Sequence, residues 1–486
     1  MEHGLSKSRV AAFEQCPKRL WLSVHRPEEA RFSDEAEARF AAGHLVGAMA
    51  CELLPDGIMI EAVPDLAAAA ARTQELLAAG TAAVIFEATF AFNGVLVRID
   101  VLEADGRGGW HIAEVKSTTS AKDQHHSDLA TQIWVAASTG LTVSGASIRH
   151  LNREFVLERE GDYRGVFVDV ELMDTIAQVV AGRGDVVVAA HAILDGPEPD
   201  RETGAHCQDP YPCQFLDYCE ARMPPGPEWP VTILPSGGGK KWLAKGITDL
   251  LAIEPDALTN ATHSKVHRAT LTGEPFHDPD GACGVIDGWP YPRSWLDFET
   301  ISFALPRWVG TRPYEQVPFQ FSLHVEQADG TCEHGEFLSL DGADPRRSCA
   351  EALLALVPKE GAVVAYNAPF ERGCVQRLAA GLPDLSEPLL AIAARIVDLL
   401  PVTRANWYHR DQRGSWSIKA VLPTVASIYY GELQVQGGSG AQAAYLEAID
   451  AGTTAERLDE LDQALRAYCG RDTEAMMLLA RKLVAR

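Results

Sequence analysis

The chain has 486 residues, of which 47% are hydrophobic and 23% charged, and its formal net charge is -24. This length and composition are typical of a globular protein with two or three domains, and no stretch reaches the roughly 20 apolar residues that a membrane-spanning helix requires. The strong negative charge argues against a protein that coats nucleic acid non-specifically, although carboxylates can still hold metal ions beside a local basic track.

The cysteines indicate the compartment. The chain contains ten cysteines and no apolar run before Cys16 that would serve as an export signal. We therefore expect a protein of the reducing cytoplasm with no membrane partner, in which clustered thiols bind metal rather than form disulfides.

The first predicted element is a helix over residues 5–24, which Pro17 should interrupt beside Cys16. Its basic residues are Lys7, Arg9, Lys18 and Arg19. They suit either contact with phosphate or an ordinary solvated helix face.

An α/β pattern follows this helix. Residues 33–80 are Ala-rich and predicted to be helical, with a turn at 55–57. Asn93-Gly94 then predicts a hairpin between two strands. The remaining predicted elements of the first half are strands at 83–90, 95–101 and 110–116, a helix at 122–139, two strands within 147–170 and a helix at 171–195.

Two carboxylates and a lysine fall on the predicted strands. Asp100 ends one strand, and Glu114 and Lys116 share one face of the next, because residues two apart on a strand point the same way. Metal-dependent phosphodiester cleavage needs such a set: the carboxylates hold Mg²⁺ or Mn²⁺, and the lysine positions water or offsets charge. Gln132 on the following helix could orient the site, and Glu87 could assist. An isolated triplet of this kind is also common on exposed strands.

A second motif is formed by cysteines. Cys207, Cys213 and Cys219 have five residues between neighbours, and three thiolates need a fourth ligand to complete a tetrahedral set. Cys16 is the best candidate for that ligand. Zinc is one alternative, but structural zinc sites commonly contain a Cys-x-x-Cys pair, which these four cysteines lack.

In these residues the first half resembles the RecB-like branch of the PD-(D/E)XK nucleases that carries an iron–sulfur cluster, as in CRISPR adaptation nucleases and AddB-type subunits. The resemblance implies a [4Fe-4S] cluster on Cys16, Cys207, Cys213 and Cys219. It also implies a catalytic motif. The residues of that motif would be Asp100, Glu114, Lys116 and Gln132, with Asp100 and Glu114 as metal ligands. An early metal-binding histidine of many relatives has only His44 near its place.

Five prolines between residues 223 and 235 end the first predicted domain, and 240–290 is predicted to be a small helical connector. A second α/β pattern then begins at Pro292. Its predicted elements are strands at 294–301, 319–325, 336–340 and 362–366, a helix at 345–357, and a long amphipathic helix at 455–484.

Four carboxylates in this second pattern come from three separated segments. Asp297 and Glu299 share one face of a buried strand, which is costly unless a cation compensates them. Glu371 follows another strand, and Asp472 lies one helical turn after Tyr468. Such a set can hold two metal ions about 4 Å apart while the tyrosine orients the attacking water.

The second half thus resembles the DEDD family of DnaQ-like exonucleases, which have an RNase H fold. The resemblance implies metal ligation by Asp297, Glu299, Glu371 and Asp472, with Tyr468 orienting water. Glu371 departs from the family, in which most members have aspartate at that position. Asp398 matches a further acidic position of some relatives. Lys419 and Ser417, in the phrase Gly414–Lys419, could contact a phosphate or simply open a capped helix.

The whole order resembles a bacterial family that fuses the two kinds of nuclease. The expected fold class is α/β, with a PD-(D/E)XK domain over 1–222, a linker and connector over 223–290, and a DnaQ-like 3'-5' exonuclease domain over 291–486. The expected function is a magnesium- or manganese-dependent nuclease that acts on DNA ends or single-stranded DNA in repair, recombination or defence. Nucleic acid is the expected partner, with DNA favoured over RNA, and any unwinding would need a helicase partner.

Two alternatives remain open at this stage. One is ribonuclease action by the C-terminal domain, because DEDD sites hydrolyse either sugar type. The other is a nucleic-acid-binding scaffold whose metal sites are degenerate and whose cluster only stabilises the fold.

Overall fold

The computed structural model describes residues 4–426 and 428–486, which form a mixed α/β structure, as the sequence predicts. The chain divides into two compact units. The first contains the chain up to Pro224 together with Phe303–Glu315, and the second contains Pro225–Ser302 and Gln316–Arg486. The predicted connector therefore groups with the second unit. None of the described helices is long and apolar enough to cross a membrane.

The first unit is built around one sheet. Its helices α1–α8 span Lys7–Gln15, Pro17–His25, Asp34–Glu52, Leu66–Ala79, Asp123–Ser138, Ala177–Ala181, Arg183–Leu194 and Leu216–Glu220. Its strands β1–β7 span Leu5–Ser6, Ile58–Met59, Val84–Phe92, Val95–Ala104, Trp110–Lys116, Val143–Leu151 and Phe167–Glu171. The sheet order is β2-β3-β4-β5-β6-β7, and β1 pairs with β4 in parallel.

Several predictions for this unit are confirmed. The hairpin turns at Asn93-Gly94, and the helix after β5 ends just before Gly140, which has a φ of 96°. The N-terminal helix is broken at Cys16, whose φ of -163° and ψ of 118° are extended. The predicted helical stretch over 33–80 is instead two helices separated by β2.

The second unit has a five-stranded sheet with β9 at its centre. Its helices α9–α18 span Lys240–Leu243, Ala261–Thr272, Pro279–Ile286, Arg346–Leu356, Pro369–Gly381, Ser386–Ala394, Leu399–Asn406, Ile418–Val425, Gly438–Ala448 and Ala455–Val484. Its strands β8–β14 span Phe276–His277, Arg293–Ile301, Val317–Glu326, Cys332–Leu338, Val363–Ala365, Ile396–Asp398 and Trp407–Tyr408. The main sheet has the order β11-β10-β9-β12-β13.

The directions of these strands determine where the acidic residues of the second unit lie. β10 runs antiparallel to β9 and β11, whereas β12 and β13 run parallel to β9. The carboxyl ends of the parallel strands therefore meet at one edge of the sheet. Every residue of β9 except Asp297 is buried, so that strand fixes the positions of its side chains within the core.

Candidate active sites

The second unit brings three predicted ligands together. Asp297 and Glu299 on β9 and Asp472 on α18 each offer one carboxylate oxygen, and these oxygens all lie within 4.8 Å of one another. Only about 8% of Glu299 and 7% of Asp472 is exposed. Three carboxylates this close repel one another, so the arrangement requires protons or cations to offset the charge.

Burial and mutual repulsion raise the pKa values of these acids. Burial, followed by the charge of Asp472, raises the pKa of Asp297 well above its ordinary value. The same causes raise the pKa of Glu299 to about 8. Burial also raises the pKa of Asp472, against hydrogen bonds from Tyr430 and Tyr468. Without a cation, the cluster therefore favours bound protons.

Glu371 lies near this trio but outside it. The side chain, on α13, is 2% exposed, and its Oε2 has no hydrogen-bond partner among the described residues. Burial raises the pKa of Glu371 to about 8. Its charge also raises the pKa of Asp297 and Glu299, which places it within electrostatic reach. An orphaned buried carboxylate oxygen beside three acids fits a ligand of a metal ion.

Two tyrosines and a lysine surround the trio. Tyr430 donates to Asp472 Oδ1 at 2.5 Å, and Tyr468, one turn before Asp472, also hydrogen-bonds it. Lys419 lines the same pocket as the trio and donates to the backbone oxygen of Gln436 at 2.7 Å. Sequence reasoning found Tyr468 and Lys419 but missed Tyr430, which lies in an irregular segment without a motif.

Asp398 is positioned differently. Its Oδ1 accepts from the backbone N–H of Leu400 at 2.9 Å and of Asn367 at 3.1 Å, so it caps α15 and fixes the turn after β12. Ser417 caps α16 through the N–H of Ala420. These contacts give Asp398 and Ser417 structural roles around the pocket.

In the first unit the predicted catalytic residues form one connected network. Glu114 is only 2% exposed, and it accepts from Lys116 Nζ at 2.9 Å and from Gln132 Nε2 at 2.6 Å. Asp100 Oδ2 accepts from the backbone N–H of Val115 at 2.8 Å. The pairing of β4 with β5 and the helix after β5 therefore bring the four predicted residues together, as the sequence indicates.

The network contains two further residues that the sequence did not single out for it. Lys7 Nζ lies 2.8 Å from both carboxylate oxygens of Glu114 and 3.5 Å from Asp100 Oδ1. Asp128 Oδ2 accepts from Lys116 Nζ at 2.7 Å. The basic N-terminal segment was noticed in the sequence, but nothing local indicated that Lys7 faces these acids.

The charges of this network shift the pKa values of Asp100 and Glu114 in opposite directions. Burial, with the charge of Glu114, raises the pKa of Asp100 to about 7. Burial acts in the same direction on Glu114, but the ammonium groups of Lys116 and Lys7 outweigh it and lower its pKa below the ordinary value. Glu114 is therefore ionised, while Asp100 titrates near neutral pH.

Two further residues lie apart from this network. Glu87 pairs with Arg98 at 2.9 Å and has a φ of 55° within β3. His44 is exposed on α3. Neither residue contacts Asp100 or Glu114 through a hydrogen bond in the described part of the chain.

The four cysteines line one cavity of the first unit. Cys16 at the break between α1 and α2 and the segment around Cys207, Cys213 and Cys219 enclose it together. Gln15 ties the two parts, because its Nε2 donates to the backbone oxygens of His206 and Tyr211, both at 2.8 Å. All four thiols are free of disulfides.

Cations border the same cavity. Its lining includes Lys18, Arg19 and Arg201. Lys18 is paired with Glu198 at 2.9 Å, and Arg19 Nε donates to Gln214 Oε1 at 3.0 Å. Four thiolates in one cavity would carry a large negative charge, which these cations offset.

Comparison with known proteins identifies one domain. The model of a domain of unknown function (DUF2779) matches residues 294–417, which contain Asp297, Glu299 and Glu371 but not Asp472. Of the first unit, this range includes only Phe303–Glu315. No curated protein matches the chain. The crystal structure of SSO0001 matches 46% of this chain and 89% of its own, with 14% identity and a TM-score of 0.25. A match at that TM-score does not establish a shared fold.

Proposed function

We propose that the protein is a metal-dependent nuclease with two phosphodiesterase sites, one in each unit. The observation that carries the proposal is the group formed by Asp297, Glu299 and Asp472, with carboxylate oxygens within 4.8 Å of one another. Buried carboxylates at this density are stable as anions only around cations, and Mg²⁺ and Mn²⁺ prefer oxygen ligands.

In the second unit, Asp297, Glu299, Asp472 and Glu371 would hold Mg²⁺ or Mn²⁺. Such ions activate water and stabilise charge on the phosphate during hydrolysis. Tyr468 and Tyr430 orient the Asp472 carboxylate through their hydroxyl groups. Lys419 places a positive charge at the pocket rim, where it would bind a phosphate oxygen. These roles follow the DEDD resemblance, to which we assign residues 291–486.

A second cavity of the same unit supports a polymeric substrate. It is about 1400 Å³ including its open mouth, and it shares Tyr366 and Ile418 with the acidic pocket. His263, Arg404 and other polar groups line it together with the half-buried Tyr366. A cavity with a cation and an aromatic ring next to a phosphodiesterase site suits a nucleotide of a single strand.

In the first unit, we assign Asp100, Glu114, Lys116 and Gln132 to a PD-(D/E)XK site over 1–222. Lys116 contacts Glu114 directly, so it can position water or offset charge where that carboxylate acts. Gln132 Nε2 donates to the Glu114 carboxylate, while its buried Oε1 has no hydrogen-bond partner within residues 4–426 and 428–486.

We propose that Cys16, Cys207, Cys213 and Cys219 hold a [4Fe-4S] cluster that staples the unit. All four line one cavity, which supports one shared metal centre. Structural zinc sites commonly contain a Cys-x-x-Cys pair, which these four cysteines lack. The resemblance to the iron–sulfur branch therefore favours a cluster.

The cluster is tested by anaerobic purification of the full chain. We expect a brown protein that contains about four irons per chain. Zinc at one equivalent without iron would replace the cluster by a zinc site.

The function is tested by cleavage of single-stranded DNA, duplex DNA and RNA by the full chain, with Mn²⁺ or with chelator. We expect Mn²⁺-dependent cleavage of single-stranded DNA that Asp297→Asn and Glu114→Gln each reduce. Cleavage of RNA alone would assign a ribonuclease. If the chain binds nucleic acid but cleaves none of these substrates, it would be a nucleic-acid-binding scaffold.

A further inference from the structure

A lysine ammonium lies where the first unit should hold its metal. Lys7 Nζ is 2.8 Å from both oxygens of Glu114 and 3.5 Å from the nearer oxygen of Asp100. These are the two carboxylates that the proposed nuclease site offers to a divalent ion. An ammonium group and a metal ion cannot share the space between the same two carboxylates.

The backbone of Lys7 is fixed by the strand that precedes it and by the helix that it begins. Leu5 and Ser6 form β1, which pairs in parallel with β4, the strand that carries Asp100. Ser6 then caps α1 through the N–H of Arg9, so Lys7 is the first residue of that helix. The Lys7 side chain is only 22% exposed. The Lys7 side chain therefore forms part of the site.

The second lysine of the network, Lys116, is paired with two carboxylates. Lys116 Nζ lies between Glu114 and Asp128, at 2.9 and 2.7 Å, so Asp128 holds it away from the gap that Lys7 fills. The three carboxylates Asp100, Glu114 and Asp128 are faced by two ammonium groups. A divalent ion added beside both lysines would leave an excess of positive charge in a partly buried site.

We infer that Lys7 is a built-in competitor of the metal: a divalent cation binds between Asp100 and Glu114 only when the Lys7 ammonium swings out. The flexible four-carbon stem of lysine allows this exchange without movement of α1. This inference rests on the proposed metal site of the first unit. It adds a gate to that site, since anything that draws Lys7 outward, such as a substrate phosphate, favours metal binding.

The first test measures Mn²⁺ binding by calorimetry on the full chain. Asp297→Asn and Asp472→Asn are combined as a background, so that the second unit contributes little binding. In that background we expect Lys7→Met to bind Mn²⁺ at least tenfold more tightly than the chain that retains Lys7. Arg9→Met is the matched control, because Arg9 lies on the same helix and its guanidinium donates to the backbone oxygen of Gly4 rather than to Asp100 or Glu114.

The second test uses the parent chain and does not depend on the folding of a variant. An amine-reactive reagent is applied with and without Mn²⁺, and modification of each lysine is quantified by mass spectrometry. We expect Mn²⁺ to increase the modification of Lys7 several-fold, while Lys18, paired with Glu198, serves as the internal reference.

Equal Mn²⁺ affinity of the Lys7→Met and Lys7 chains, or unchanged modification of Lys7 at saturating Mn²⁺, would overturn the inference. Failure of the proposed metal site of the first unit is seen separately, as absence of Mn²⁺-dependent cleavage by the chain that carries Asp297→Asn and Asp472→Asn. If that chain cleaves DNA but shows neither Lys7 effect, the site of the first unit stands and competition by Lys7 is excluded.

Discussion

At the scale of single residues, Glu371 is the most informative acid of the second unit. Its buried Oε2 lacks a hydrogen-bond partner in the part of the chain that the structure describes, which is costly unless a cation completes the site. We expect Glu371→Gln to lower cleavage by the full chain about 100-fold and to weaken Mn²⁺ binding, whereas Glu371→Asp should retain part of both. Asp398→Asn is the comparison, because that residue caps α15 and should act on stability instead.

Glu371 would not be a ligand if Glu371→Gln cleaved and bound Mn²⁺ like the parent. That variant should then be more stable than the parent, since it removes a buried group that resists ionisation.

The raised pKa values of Glu299 and Glu371, both about 8, predict how metal-free protein responds to pH. A carboxyl group whose pKa is higher in the folded than in the unfolded state stabilises the fold fully below its unfolded value near 4.5. That stability is lost as pH rises through the folded value. We expect the second unit in chelator to melt about 5 °C or more lower at pH 8.5 than at pH 5.5.

Mn²⁺ should reverse the loss at pH 8.5, because it binds the ionised carboxylates. Glu299→Gln should flatten the pH dependence of the melting temperature. A metal-free parent that is equally stable at both pH values would show that the acids are not coupled in this way.

Single residues also show why the sequence predicted some of each site and not the rest. Asp297 and Glu299 share a strand, and Tyr468 and Asp472 share a helical turn. The sequence separation within each pair therefore predicts that its two side chains lie close together. Lys7 and Glu114 are 107 positions apart, and their contact follows from the pairing of β1 with β4. No local pattern encodes such a contact.

At the scale of elements, the break between α1 and α2 is the feature on which the cysteine cavity depends. Pro17 ends α1 at Cys16, whose extended backbone interrupts the helix at the cavity. If a cluster holds this junction, Cys213→Ala should remove the iron and destabilise the first unit while leaving the second intact. Hydrogen exchange measured by mass spectrometry resolves the two units.

The matched control is Cys51→Ala, because Cys51 lies in the first unit but outside the cavity. Equal exchange in the Cys213→Ala and Cys51→Ala chains, with iron retained in both, would contradict a structural cluster.

Elements with strong periodicity were predicted well. The final helix spans Ala455–Val484, as its amphipathic pattern indicates, and the Asn93-Gly94 hairpin is where its turn chemistry places it. The short strands β2 and β13 were missed, because two or three residues cannot display a period. Their pairing with β3 and β12 is a tertiary contact. β2 alone divides the predicted helical stretch over 33–80.

At the scale of the whole molecule, the chain carries two acidic networks with opposite charge balance. In the first unit two lysines face Asp100, Glu114 and Asp128. In the described part of the second unit, one cation, Lys419, lowers the pKa of both Glu299 and Asp472, and burial opposes it at both acids. The second site should therefore bind metal more readily than the first.

This difference predicts two separable activities in one chain. Mn²⁺ titration of cleavage should show the second-unit activity at low metal, which Asp472→Asn abolishes, and the first-unit activity only at higher metal, which Glu114→Gln abolishes. If the sites act independently, their losses add, and the double variant cleaves nothing. If either single variant alone removed all cleavage at every Mn²⁺ concentration, the chain would contain one active site, and the network of the other unit would serve its structure.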